Sequence, residues 1–222
     1  MNDQRIVRPM KLVVLGATGR IGSQVTRRAL TDGHRVTAVV RRPETVTTAH
    51  DNLTVVPGDV LDPASLDGPF ASADAVIFAV GTPGRGPTVL RSTAIATVAK
   101  VMAANGVARL LVVSPSAVAI SPRAPLTRKI TLRYFVHKLH RNPFNDVERM
   151  ESELTYTDLN WSVVRASTLR DGPASGRYQV VPDGQLRRER PVSVADLADY
   201  LVRHAAERAT LRDIVTVTGP AA

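Results

Sequence analysis

Cysteine is missing from the chain altogether. Disulfides, thiolate catalysis and cysteine-based zinc sites are thereby excluded, and a reducing compartment, the cytoplasm, is the expected location. Histidine is sparse: His34, His50, His137, His140 and His204 follow no metal-ligand spacing, so no metal is expected. Long apolar runs are lacking too. No stretch approaches the length of a membrane span, and the opening residues MNDQRIVRP have no signal-peptide core; residues 1–9 read as a flexible leader. Aromatic residues amount to 4%. That leaves little for stacking on bases, and no specific nucleic-acid partner is expected.

Positive charge, by contrast, is in surplus. A net charge of +9 favours anionic partners such as phosphorylated cofactors or acidic ligands, and less specifically nucleic acid or a membrane surface. The vote is weak, because an Arg- and Ala-rich composition also follows from a GC-rich genome. With 222 residues, 44% of them hydrophobic, the chain can bury one sizeable core, and residues 10–222 read as a single domain. Monomer and dimer both remain open.

The most informative stretch is MKLVVLGATGRIG, residues 10–22. An apolar run, Leu12 to Leu15, reads as a buried parallel strand. Glycines follow at 16, 19 and 22, and then Ile21, Val25 and Ala29 recur at helical spacing. Strand, glycine turn and helix in that order form a dinucleotide fingerprint. Gly16 allows the tight turn, Gly19 lets a pyrophosphate approach the backbone, and Gly22 lets the helix pack on the strand. The helix N-terminus offers unpaired N–H groups and partial positive charge to phosphates.

Strands alternate with helices downstream. RVTAVV (35–40), LTVVP (53–57), ADAVIFAV (73–80), RLLVVS (109–114) and WSVVR (161–165) read as strands. Residues 178–181 and 214–218 add two more. Helices are expected over 87–106, ending at the left-handed cap Asn105-Gly106, from Asn142 to Thr157, and over 194–206, begun by Ser193 with Asp196 three residues on. The pattern predicts a Rossmann-like α/β fold: a doubly wound parallel sheet in three α/β/α layers with a small C-terminal annex. Its ligand crevice lies along the strand C-termini.

A dinucleotide site usually carries an acid at the end of the second strand, accepting from the ribose 2′-OH. Arg41-Arg42 stand there instead. A guanidinium binds a 2′-phosphate that a carboxylate would repel, so NADP(H) is expected over NAD(H). Arg20, inside the glycine turn, offers a second contact to that phosphate. Two exposed arginines that touch nothing are the plainer reading. Asp59 and Val60, after the third strand, suit the adenine amino group and ring; Asp59 as a cap of the helical turn near Pro63 is an equal alternative. Val80, Gly81 and Thr82 end the fourth strand, where glycine lets the chain pass close under the cofactor or serves a plain turn.

GATGRIG, VVRR, GDV, FAVGT and VVSPSA, in that order, resemble the atypical short-chain dehydrogenase/reductases with NmrA-like domains, and most of all the NADPH-dependent flavin reductase/biliverdin-IXβ reductase group. The likeness runs from about Lys11 to the end. It implies NADP(H) on the strand edge, held by Gly16, Thr18, Gly19, Arg20 and Ile21, and a shallow site for a flat aromatic or acidic acceptor such as FMN. It also implies that Ser116, with Ser114 nearby, sits beside the nicotinamide as the catalytic hydroxyl; a turn serine bonded to its own backbone is the alternative. The superfamily's Tyr-x-x-x-Lys spacing occurs at Tyr134 and Lys138, one helix earlier than the helix that should line the nicotinamide. On that later helix Val147 stands where relatives often carry lysine, and Arg165-Ala166 replaces a frequent Arg-Pro. Flavin reduction tolerates these losses, because ring stacking does most of the work and water can supply the proton.

Arg123 to Arg141 concentrates positive charge, with Leu132, Val136 and Leu139 at helical spacing. It reads as a solvated face, a lid meeting anionic groups of the acceptor, or a basic amphipathic helix. The leading expectation is an NADPH-dependent reductase of the flavin-reductase type. The rival is a non-catalytic NADP(H) sensor that binds a regulatory protein. An epimerase- or dehydratase-like enzyme would need a proton-transfer residue that the sequence does not reveal.

Overall fold

The computed structural model describes residues 8–82, 88–118, 126–131, 141–207 and 212–220. Strands β1 (Lys11–Leu15), β2 (Arg35–Val40), β3 (Leu53–Pro57), β4 (Ala75–Phe78), β5 (Arg109–Pro115), β6 (Asn160–Ala166), β8 (Gln179–Pro182) and β10 (Asp213–Thr218) form one sheet, in the order β3-β2-β1-β4-β5-β6-β10-β8. A second, two-stranded sheet pairs β7 (Leu169–Arg170) with β9 (Val192–Ser193) and accounts for the expected annex. The helices are α1 (Arg20–Thr31), α2 (Pro63–Phe70), α3 (Leu90–Ala104), α4 (Leu126–Thr131), α5 (Arg141–Thr155) and α6 (Val194–Ala205).

The central strands are apolar on both faces because helices cover both faces. In β1, Leu12 and Val14 enter the core beneath α1 and α6, while Val13 and Leu15 enter the core beneath α2, α3 and α5. Strand order reverses at β1, which is hydrogen-bonded to β2 on one side and β4 on the other. This is the switch point where an open α/β sheet leaves a crevice beyond its strand ends.

Most element bounds move by one to three residues from the sequence reading. The strand expected over 73–80 is regular over Ala75–Phe78, and the helix expected from Pro87 starts at Leu90. Gly106 takes φ +68°, the left-handed cap that was expected. One edge strand departs from the parallel pattern. The sheet is not parallel throughout, because β8 runs antiparallel to β10. No helical crossover precedes β8, so the chain enters it as an edge, with alternate residues half-buried and exposed. Both outer strands end in proline, Pro57 and Pro182. The N–H of Gly58 bonds to Val40 and that of Asp183 to Ile214, so each proline nitrogen faces away from the sheet, where no ladder bond is lost.

Among the described residues, no helix is long and apolar enough to cross a membrane.

Candidate functional site

The glycine turn between β1 and α1 is fixed by close approach. Gly16 takes φ +81°, and a Cβ on it would lie 2.6 Å from the Ala79 carbonyl oxygen. A Cβ on Gly22 would lie 2.2 Å from the Gly16 carbonyl oxygen. The turn closes with the Gly19 N–H donating to that same carbonyl at 2.9 Å. Gly19 is the N-cap of α1; no side chain caps it and no acidic residue occupies the first turn. Thr18, Gly19 and Arg20 are exposed there, and Ile21 packs back on the core. An exposed, uncapped helix N-terminus behind a backbone with no side chains in the way fits a pyrophosphate. The residues present therefore suit a dinucleotide. Arg20, for which a 2′-phosphate contact is expected, donates to the exposed Asp171 at 2.8 Å in the segment following β7.

At the far end of β2, Arg41 and Arg42 are both exposed, and neither guanidinium has a hydrogen-bond partner among the described residues. The backbone of Arg42 opens a short turn, its carbonyl accepting from the Thr45 hydroxyl at 2.7 Å. Asp59 accepts from the Leu61 N–H at 3.0 Å, and its own N–H donates to Ser65 Oγ. The capping role offered as its alternative belongs to Asp62, which accepts from the Ala64 N–H at the start of α2. Val60 leans against the core beneath α2.

β4 ends at Phe78, opposite Val112 and three residues short of the β5 end, while β5 and β6 end together, Pro115 pairing with Ala166. Val80, Gly81 and Thr82 continue from β4, and the Val80 carbonyl accepts from Arg91 Nε at 3.2 Å. Burial pulls the Arg91 guanidinium below its ordinary pKa, and Asp146 opposes the shift. Asp146 itself is fully buried on α5 and accepts from the N–H groups of Arg91 and Ser92 and from the Ser92 hydroxyl. It thus caps α3 from a neighbouring helix.

The C-terminal end of β5 is polar. Ser114 is buried, and its hydroxyl donates to Glu151 at 2.6 Å. The Glu151 carboxylate pairs with Arg165 at 2.6 Å, and Arg165 also pairs with Asp183. Burial disfavours the Arg165 charge, but the hydrogen bond and charge of Glu151, with Asp183 behind, outweigh it and raise the pKa. Ser116, just past β5, donates to Glu189 and not to its own backbone. Val147, on α5, is buried in the core, so an apolar side chain stands at the position where the resemblance expects lysine. Tyr134 and Lys138, and most of the segment 123–141, lie outside the described residues.

Asp146, Glu151, Arg165, Asp183 and Glu189 were not singled out from sequence as site residues. One local signal existed for Glu151. It lies one turn after Val147 on α5, on the face directed at the sheet. No grouping of side chains that could hold a metal occurs among the described residues.

A sequence profile of the family described as NAD(P)H-binding matches residues 16–208. Protein YwnB of Bacillus subtilis (strain 168) is 27% identical over 197 residues, covering 87% of this chain and 89% of that protein. A short-chain dehydrogenase/reductase from Veillonella parvula DSM 2008, solved in complex with NADP, aligns with a TM-score of 0.76 at 21% identity, covering 95% of each chain. ChuY, an anaerobillin reductase from Escherichia coli O157:H7, aligns with a TM-score of 0.78 at 20% identity over 96% of this chain and 98% of that one. These structures share the fold. With its glycine turn, uncapped α1 and switch-point crevice all inside the matched region, the chain belongs to the NAD(P)H-binding family.

Proposed function

We propose that the protein is an NADPH-dependent reductase that passes hydride to a flat conjugated acceptor such as a flavin. The observation that carries the reading is the pair Arg41 and Arg42, exposed and unpartnered among the described residues, where a 2′-OH site would need an acid. The guanidinium groups would take the 2′-phosphate, and the α1 N-terminus with Gly16, Thr18, Gly19 and Ile21 the pyrophosphate. Asp59 and Val60 would flank the adenine. Val80, Gly81, Thr82, Ser114 and Ser116 would border the nicotinamide, with the Ser116 hydroxyl next to the reacting rings.

When bound, the dinucleotide supplies hydride from nicotinamide C4. The protein's part is then to hold two flat rings together and exclude water from between them, which needs no dedicated proton donor. Val147 suits that chemistry, whereas alcohol or sugar oxidation would want a cation beside a phenol. ChuY and the NADP complex from Veillonella parvula lend support by their fold.

The test is NADPH oxidation, followed at the nicotinamide absorbance, across FMN, FAD, quinones and biliverdin. Turnover stimulated by FMN is expected. Tight NADP(H) binding with no turnover on any acceptor would instead favour the sensor reading, for which Val147 in place of lysine also speaks. No heat with either NADP form in calorimetry overturns both.

A further inference from the structure

We propose that Glu189 fixes the direction of the Ser116 hydroxyl, so that the crevice beyond β5 selects a flat heterocycle presenting an N–H there over a ring presenting only carbonyl oxygens. The proposal rests on the reductase reading above and names the acceptor class that this site takes.

The argument starts from one hydrogen bond. Ser116 Oγ donates to a Glu189 carboxylate oxygen. An ionised carboxylate has no proton to give, so the serine, itself largely buried, must be the donor, and its single proton is committed to Glu189. What remains on Oγ is lone pairs. A ligand N–H aimed at them is satisfied, while a carbonyl oxygen meets like polarity and loses the bond it had with water.

Glu189 is not placed to swing aside. It lies in the segment joining β8 to β9, which is tied down at both ends. At one end the Asp183 N–H bonds to Ile214 at 3.0 Å and its carboxylate pairs with Arg165. At the other, the Arg190 N–H donates to Thr218 Oγ1 at 2.9 Å, and its carbonyl accepts from Ser167 Oγ at 2.7 Å and from the Gly219 N–H at 3.1 Å. Between them Leu186 is buried. Ser116 is equally constrained, in a short helical turn continuing β5. The polarity of the hydroxyl is therefore built in before any ligand arrives.

The experiment compares two rings that differ in their donors: alloxazine, with two N–H groups, and 1,3-dimethylalloxazine, with none. Each is titrated by fluorescence into the protein with saturating NADP+ and again without it. The wild type is expected to favour alloxazine by about tenfold, the worth of one well-made hydrogen bond. In Glu189→Gln the amide can either donate to Ser116 or accept from it, so the preference should shrink toward unity. A steric effect of the methyl groups would survive that substitution. Ser116→Ala should also abolish the preference, and adding Glu189→Gln to it should change nothing further. No preference in the wild type, a wild-type preference in Glu189→Gln, or binding of neither ring overturns the proposal. Failure to bind NADP+ is read separately by calorimetry and overturns the reductase reading instead.

Discussion

Asp146, on α5, closes the open end of α3 by accepting from the Ser92 hydroxyl at 2.7 Å and the Ser92 N–H at 3.1 Å. The N-cap position of α3 is Val89, which can cap nothing, so the helix borrows its carboxylate from a residue far along the chain. The same α3 carries Arg91, whose Nε holds the Val80 carbonyl. Replacing Asp146 with Ala should therefore do two things. It should cost about 1–2 kcal/mol, the usual worth of a lost cap, or several degrees in Tm. It should also weaken NADP(H) binding by loosening the chain at Val80. Calorimetric unfolding and a dinucleotide titration check both; an unchanged Tm would show that water replaces the carboxylate at no cost.

Glu151 and Arg165 form a buried pair with Ser114 attached. Arg165→Leu strands the buried Glu151 charge and should lose about 3–5 kcal/mol, whereas Glu151→Gln leaves Arg165 its pair with Asp183 and should lose less. Replacing both by apolar residues of similar volume should recover much of that loss. Urea unfolding of the two single variants and the double variant separates a stranded charge from lost packing.

Arg41→Glu should raise the KM for NADPH at least tenfold and leave that for NADH within about twofold, because one well-placed charge contact to phosphate is worth more than 1.4 kcal/mol. Initial rates with each cofactor give the ratio. An unaltered ratio would remove Arg41 from cofactor selection.

Two left-handed glycines make a controlled comparison. Gly16 and Gly33 take φ +81° and +79°, but only at Gly16 does a Cβ meet a backbone atom, the Ala79 oxygen at 2.6 Å; nothing lies within 4 Å at Gly33. Gly33→Ala should cost about 1 kcal/mol of conformational strain. Gly16→Ala should cost more and abolish dinucleotide binding. Equal losses in Tm with binding intact in both would refute the close-approach role.

Asp196 gives a pH prediction. Burial alone would raise its pKa, but hydrogen bonds from Ser193, Ser175 and the N–H groups of Gly176 and Ser175 hold it below the ordinary carboxylate value. A depressed folded pKa contributes stability that is complete above the unfolded value of about 3.9 and is lost as pH falls through the folded one. Asp196→Asn should accordingly lower Tm at pH 6 and flatten its decline below pH 4. A parallel downward shift at every pH would mean that titration of this group plays no part.

Much of the fold and of the proposed cofactor side was legible because its signals are local. The glycine turn, the position of the arginines after β2 and the Ser193 cap each depend on residues adjacent in sequence. The proposed acceptor side was not legible because its partners come together only in the fold. Ser114 meets Glu151 and Ser116 meets Glu189 across long stretches of chain, as Arg20 of the glycine turn meets Asp171. Charge alone could not say which acid would face which hydroxyl. The strand β8 was expected over 178–181, but its antiparallel direction was not legible, for a related reason: its short run has the composition of a strand and nothing that declares its direction.

Those proline-ended flanks limit how copies of the protein can assemble. A second molecule approaching either margin to prolong the pleated layer would find, at Pro57 or Pro182, a ring where an amide proton should be. Fibre-like growth by lateral annealing is thereby discouraged at both ends.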